Sequence, residues 1–533
     1  LILWNHGGGS ISGVCFDEVY DWESLSLNDI NIALDTVSEK MTDKFEFIGF
    51  DACLMATLEA ANILATYARY MYASEEVEPG CGWNYLSISE ALAENPGING
   101  AELGEVLISG YYDLCVECGA SKYITFSIID LSLIDDVLIA FNDYCKDLYE
   151  ATGNNESFVS VTRQIRKAED FGGNNRNEGY TNMIDVAGFA DAGAELSHNA
   201  QILRDAIYES MIKYGVSDYH PDVEGLSMYF PLHYSGDSSL SIFHSIATSP
   251  YYLAYVDRMA YSMSRGGNLE KYTGTERILE SWSKYWSSDA YLDPQGYLKK
   301  NGMKNYIDSY TVPYMNQSDL FSFDEEPAIT EDGTAYCFTL SEEGYLNLDA
   351  VFGSLYWYAP ESEEYISLGW TGDVNADWDS RFFYDNFNGY WLALEDGQNL
   401  VTYLVQEDTD YAVYSCPILL NEEETNLRVI RDYKNNYLYM AGCWDGLASG
   451  MASRNWINLV PGDIIQPIYE GDENTYFGAE YVYEGKDDLV YSEIFDGQFY
   501  YAFVIQDVYG NYIETDYISI VVDEGEITFS PVK

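Results

Sequence analysis

Short apolar runs that stop abruptly on polar or glycine-rich turns, with helix-length segments between them, most constrain the first half of this chain. Leu1–Trp4 is one such run and ends on Asn5-His6-Gly7-Gly8-Gly9. Phe45–Phe50 is another and ends on Asp51-Ala52-Cys53. Tyr123–Leu131 and Gly225–Pro231 are further strand candidates. The spacing predicts a helix from about Leu54 to Met71, with Leu54, Leu58, Ala61, Leu64 and Ala68 near one face. A helix follows Leu131 and runs to about Tyr149, and Ser157–Ala168 and Ala200–Tyr214 are also helical in pattern. Strands alternating with helices fold as an α/β domain with a largely parallel sheet, here over residues 1–265.

The character changes after residue 265. Gly266-Gly267-Asn268 opens a polar connecting region, 266–335. From 336 to 533 the chain consists of short β-like runs, among them Tyr345–Phe352, Tyr390–Leu394, Val401–Gln406, Tyr437–Ala441 and Ile518–Val522. Turn signals such as Asp396-Gly397, Pro461-Gly462-Asp463 and Tyr509-Gly510-Asn511 separate them, so an all-β region of one or two sandwich-like modules is expected.

Charge narrows the classes of partner. The 533 residues carry 26 basic and 88 acidic side chains, a net of −62. Such a surface repels phosphates, so nucleic acid and anionic membranes are not expected as partners. No apolar run approaches the roughly 20 residues of a membrane span. The chain opens on Leu inside a strand pattern, so a further N-terminal segment is expected upstream. Nine cysteines are too few for a disulfide scaffold and, being odd in number, cannot all pair. Cys115 and Cys118 have CxxC spacing, but no second pair completes a zinc site.

Reactive groups of an open parallel sheet collect at the carboxyl ends of its strands. His6 and Cys53 each stand just past an apolar run, the pattern of a nucleophilic thiol with a neighbouring base. Glycines after His6 let the backbone N–H of Gly7 approach a substrate carbonyl; with the N–H of Cys53 it would form an oxyanion hole. A helix starting at Leu54 would favour the thiolate. Asp51 is either the cap of that helix or a substrate contact. Asp373, Asn375, Asp377 and Asp379 space their oxygens as a calcium loop does. Trp378 and Tyr384 stand where an EF-hand needs Gly and Glu, so a solvated acidic turn is the plainer reading and no cofactor beyond a candidate calcium ion is expected.

Leu3-Trp4-Asn5-His6-Gly7-Gly8-Gly9 and Phe50-Asp51-Ala52-Cys53-Leu54-Met55 resemble the His-Gly and Asp-Ala-Cys motifs of the clostripain family of cysteine peptidases, in the caspase-like clan. Gly13–Glu18, Ser74–Tyr85, Met183–Ala190 and Gly225–Pro231 resemble its other segments in the same order. The resemblance implies a caspase-like α/β sandwich, a His6–Cys53 dyad, a secreted or cell-surface bacterial protein, and cleavage of proteins or peptides after Arg or Lys. Substrate contacts are then expected from Asp51, Glu75, Glu76, Trp83 and Asn84, with Glu78 as a further acid. Family members often carry Asp where this chain has Cys81 and Asn84, so basic specificity would rest on the remaining acids. Lys40 and Lys44 are the basic residues between His6 and Cys53 at which two-chain processing would occur. The competing reading is a catalytically inactive, peptidase-like protein that serves as an extracellular binding or adhesion module, with exposed Tyr and Trp of the β region stacking on ligands.

Overall fold

The computed structural model describes all residues except 18, 264–320, 408, 449, 487, 488 and 533. Most of the expected connecting region therefore lies outside the described residues. Two compact units emerge. One holds residues 1–174, those from 180 to 263, and 447–455; the other holds 175–179, 321–446 and 456–532.

The first unit is built on a five-stranded sheet in the order Ile2–Trp4, Phe45–Asp51, Ala68–Ala73, Phe126–Asp130, Met211–Gly215. The first three strands are parallel, and the last two pairings are antiparallel. The sheet is thus mixed, not largely parallel throughout. Alternation along the strands places Tyr72, Phe126 and Ile128 in a buried cluster with Leu103, Leu107 and Tyr111 of the helix Gly100–Glu117. The helices Ile134–Ala151, Asn199–Ser210 and Pro250–Met263 pack together, and Leu58–Leu64 packs on Ile134–Ala151, completing the α/β sandwich.

Two expected helices are shorter than their spacing suggests. The span predicted over 54–71 holds a helix only at Leu58–Leu64 and then the strand Ala68–Ala73. Thr57 starts the helix, its side chain accepting from the N–H of Ala60. Every residue of that helix is buried, so its apolar spacing marks no single face. Likewise Ala200–Tyr214 divides into the helix Asn199–Ser210 and the edge strand Met211–Gly215.

The second unit is β throughout most of its described length. One sheet takes the order Glu364–Thr371, Leu348–Ala359, Gly497–Asp507, Ile518–Asp523, Glu526–Pro531, all antiparallel. A second is centred on Tyr411–Leu420, Glu423–Asp432 and Tyr437–Trp444. Two separate hydrophobic clusters fill it. One is aromatic, around Tyr336, Phe338, Phe499 and Phe503; the other, around Ile418, Leu427, Val429 and Ile465, is mainly aliphatic. The run expected as a strand from Tyr345 begins instead with a short helix, Glu342–Leu346, capped by Ser341.

Candidate functional site

The parallel pairing of the first two strands sets the geometry. Trp4 lies opposite Asp51, so His6 and Cys53 each stand two residues beyond the same rung. The two chain ends remain in contact after the pairing stops. Asn5 N–H donates to the Asp51 carbonyl at 3.4 Å. A Cβ at Gly7 would lie 2.1 Å from the Cys53 carbonyl oxygen, a contact that leaves room for glycine alone.

Cys53 is fully buried, and its Sγ accepts from the Glu78 N–H at 3.3 Å. Burial pushes its thiol up to about 12, with the Arg454 guanidinium opposing that rise. The expected helix N-terminus does not stand behind it. Leu54 adopts a left-handed φ of 66°, and the chain bends before the helix begins beyond Thr57. Asp51 is accordingly the last residue of its strand and caps no helix.

Asp51 is instead the centre of a buried charge cluster. Its carboxylate accepts from the Trp83 N–H at 3.3 Å, the Tyr85 hydroxyl at 2.8 Å and Nη2 of Arg454 at 2.5 Å. Arg454 also donates to the backbone carbonyls of Asp51 at 2.9 Å and Glu78 at 3.4 Å. The Glu78 carboxylate stands 3.6 Å from the same guanidinium and accepts from Trp83 Nε1 at 3.3 Å. Burial, and then the Asp51 charge, hold the Glu78 carboxyl well above its ordinary range. Burial by itself would lower the Arg454 guanidinium, but Glu78 and Asp51 outweigh it and raise it. The segment leading to Arg454 lies along the His6 turn: Ala452 N–H donates to the Gly7 carbonyl at 3.1 Å, and His6 Nδ1 is 3.4 Å from the Ala452 carbonyl oxygen.

The remaining candidates divide. Trp83 is buried beside Asp51 and Glu78. Glu75 and Glu76 are buried but turned to other partners. Glu75 accepts from the Gly225 N–H at 3.1 Å; Glu76 accepts from the Gly172 N–H at 3.0 Å and stands 3.5 Å from His220. The Asn84 side chain caps the helix Tyr85–Glu94 by accepting from the Ser87 N–H at 3.2 Å. Asn-x-x-Ser ahead of a helical pattern was the available signal for that role. Cys115 is buried in the core and Cys118 exposed. The Cys81 thiol is lowered to about 6, first by hydrogen bonding with Cys115 against burial, with Cys118 adding to it. In the β unit Asp373 pairs with Arg431 at 3.1 Å, and Asp377 receives the Asp379 N–H at 3.2 Å. Among the described residues no group of three or more His, Cys, Asp or Glu side chains is arranged to hold a metal ion. No helix among them is long and apolar enough to cross a membrane. Arg454 escaped the sequence reading altogether, and its only signal was weak: a lone basic residue after Met451-Ala452-Ser453 in a very acidic chain.

A family model described as the clostripain family matches residues 1–445. Solved structures similar to this chain include a secreted C11 cysteine protease from Bacteroides thetaiotaomicron bound to an irreversible peptide inhibitor, 17% identical over 48% of this chain and 71% of that one, with a TM-score of 0.34. A B. fragilis cysteine protease is 18% identical over 44% and 94%, with a TM-score of 0.32. A clostripain from B. thetaiotaomicron in complex with a peptide inhibitor is 15% identical over 45% and 99%, with a TM-score of 0.33. No curated protein matches the sequence at a significant level.

Proposed function

The chain belongs to the clostripain family of cysteine peptidases, and on that premise we propose that it is a secreted endopeptidase that cleaves after Arg or Lys, with Cys53 as nucleophile and His6 as base. In this reading the Cys53 thiolate attacks the scissile carbonyl while His6 carries the proton to the departing amine. The backbone N–H groups of Gly7 and Cys53 would face the oxyanion. Water then releases the acyl group from the sulfur.

One observation carries the specificity: a guanidinium is already bound, buried, between Asp51 and Glu78 beside Cys53. The pocket therefore suits a basic side chain although positions 81 and 84 are neutral. A buried carboxylate facing a guanidinium forms a charge-assisted pair, and a neutral side chain in its place leaves that carboxylate unpaired. Peptides varied only at the residue before the scissile bond test this. Arg and Lys should exceed Gln by about a hundredfold or more in kcat/KM. Equal cleavage after Arg and Gln would remove the specificity.

The non-enzymatic reading has one observation in its favour, the complete burial of Cys53 with its thiol raised to about 12. A thiol-reactive peptidyl probe ending in Arg separates the two readings. Labelling at Cys53 supports the peptidase, and its absence under conditions that expose the cleft supports the binding module.

A further inference from the structure

We infer that the segment Met451–Arg454 is a built-in inhibitor of the peptidase: Arg454 occupies the pocket of the substrate's basic residue while its main chain presents no bond for cleavage. The inference rests on the peptidase reading above and adds to it a form of latency.

Three contacts make the segment resemble a substrate. The guanidinium is held by Asp51 and Glu78, as a substrate Arg would be. Ala452 pairs its N–H with the Gly7 carbonyl, as an extended peptide lying in the cleft would. Met451, Ala452, Ser453 and Arg454 are all buried, and Asn455 returns to solvent. The fit is close along its length, since a Cβ at Gly8 would stand 2.3 Å from the Gly450 carbonyl oxygen.

Two further contacts distinguish an inhibitor from a substrate. His6 Nδ1 is 3.4 Å from the carbonyl oxygen of Ala452, two residues before Arg454. The Arg454 carbonyl oxygen faces Gly80, where a Cβ would lie 3.4 Å away. The side chain is thus in the pocket while His6 faces a carbonyl two residues ahead of it.

The ends of the excursion are tied down. Trp444 pairs with Trp456, and Cys443 with Ile457, so the segment between them is closed at its base. A tethered occupant has a high local concentration and competes with free substrate without being consumed.

The test uses the full chain and a fluorogenic peptide ending in Arg, at substrate concentrations below KM. Two variants are compared with the natural sequence: Arg454→Ala, and a loop-shortened chain in which a short Gly-Ser turn replaces residues 447–454 and leaves the Trp444–Trp456 pair intact. Both should raise kcat/KM about tenfold or more, because the fraction of protein with an open pocket limits the apparent affinity. Arg454→Lys keeps the charge and should fall between. A purely structural Arg454 would lower the melting temperature of the Ala variant and raise the rate of neither, and that result overturns the inference. If the natural sequence already matches the loop-shortened chain, the inhibitor falls and the peptidase stands. If the loop-shortened chain neither cleaves the peptide nor reacts with a peptidyl-Arg probe, the peptidase reading falls and the inhibitor with it.

Discussion

Asp507 and Asp385 of the β unit are held differently from Asp51 of the α/β unit. In the β unit Asp507 is fully buried, yet the turn that follows supplies its donors: the N–H groups of Tyr509 and Asn511 and the Asn511 side chain. Asp385 is served by the Phe387 N–H and the Tyr501 hydroxyl at 2.6 Å. Asp507 fastens its own turn, and Asp385 joins its turn to the strand Gly497–Asp507. In the α/β unit Asp51 draws its guanidinium partner from 403 positions away. One oxygen each of Glu75 and Glu78 accepts no hydrogen bond. Burying acids that are incompletely satisfied is costly, and clusters of them with displaced pKa values gather at functional sites. The contrast separates acids that serve packing from acids that, in the proposed reading, serve a ligand.

The largest test of that contrast sets one buried thiol against another. Cys53 and Cys416 are both fully buried, one in each unit. Cys53→Ala should reduce kcat by about a thousandfold or more with the fold retained, whereas Cys416→Ala should leave kcat unchanged. A dead Cys416 variant would break the comparison.

Next come the acids themselves. Asp51→Asn leaves Arg454 short of a buried counter-charge and should destabilise by about 3–5 kcal/mol in urea unfolding, with the Arg-to-Gln selectivity falling. Asp507→Ala should cost about 1–3 kcal/mol and leave selectivity untouched.

A smaller effect of similar kind concerns pH. Burial raises Glu59 from 4.5 to about 7, and Asp170 from 3.8 to about 7. The folded state therefore holds protons that the unfolded chain releases. Their contribution is complete below the unfolded values and is lost as pH rises through about 7. Glu59 alone accounts for on the order of 3 kcal/mol between these limits. Urea unfolding should show the α/β unit more stable at about pH 5 than at about pH 8, and Glu59→Gln should flatten the dependence. Stability rising with pH would contradict this. The smallest effect belongs to the exposed pair Asp373–Arg431, where Asp373→Asn should cost less than about 1 kcal/mol.

Much of the α/β unit was legible because its strands are apolar runs with sharp ends. Leu1–Trp4 and Phe45–Phe50 stop where the paired strands Ile2–Trp4 and Phe45–Asp51 stop, and that places His6 and Cys53 on neighbouring chain ends. The turn after Cys53 was not legible. The apolar spacing from Leu54 to Ala68 satisfies a helix, and nothing local reveals that the whole segment is buried or that Thr57 begins a new element. Among the acids of the 74–85 segment, sequence could not tell Glu78 from Glu75 and Glu76. All three are buried, and only tertiary contacts decide which one meets the guanidinium. Arg454 lies too far along the chain for any local pattern to connect it to Asp51.

The backbone contact between Gly7 and Cys53 has a mechanical consequence. With no side chain between the two turns, nothing compressible separates them, and their spacing is fixed by bonded geometry and hard-sphere limits. A single methyl group at position 7 would act as a wedge and drive the His6 turn from the Cys53 turn while every reactive atom stayed on the molecule. The tolerance of the assembly is thus smaller than one carbon atom, and it is enforced by a residue that has no side chain of its own.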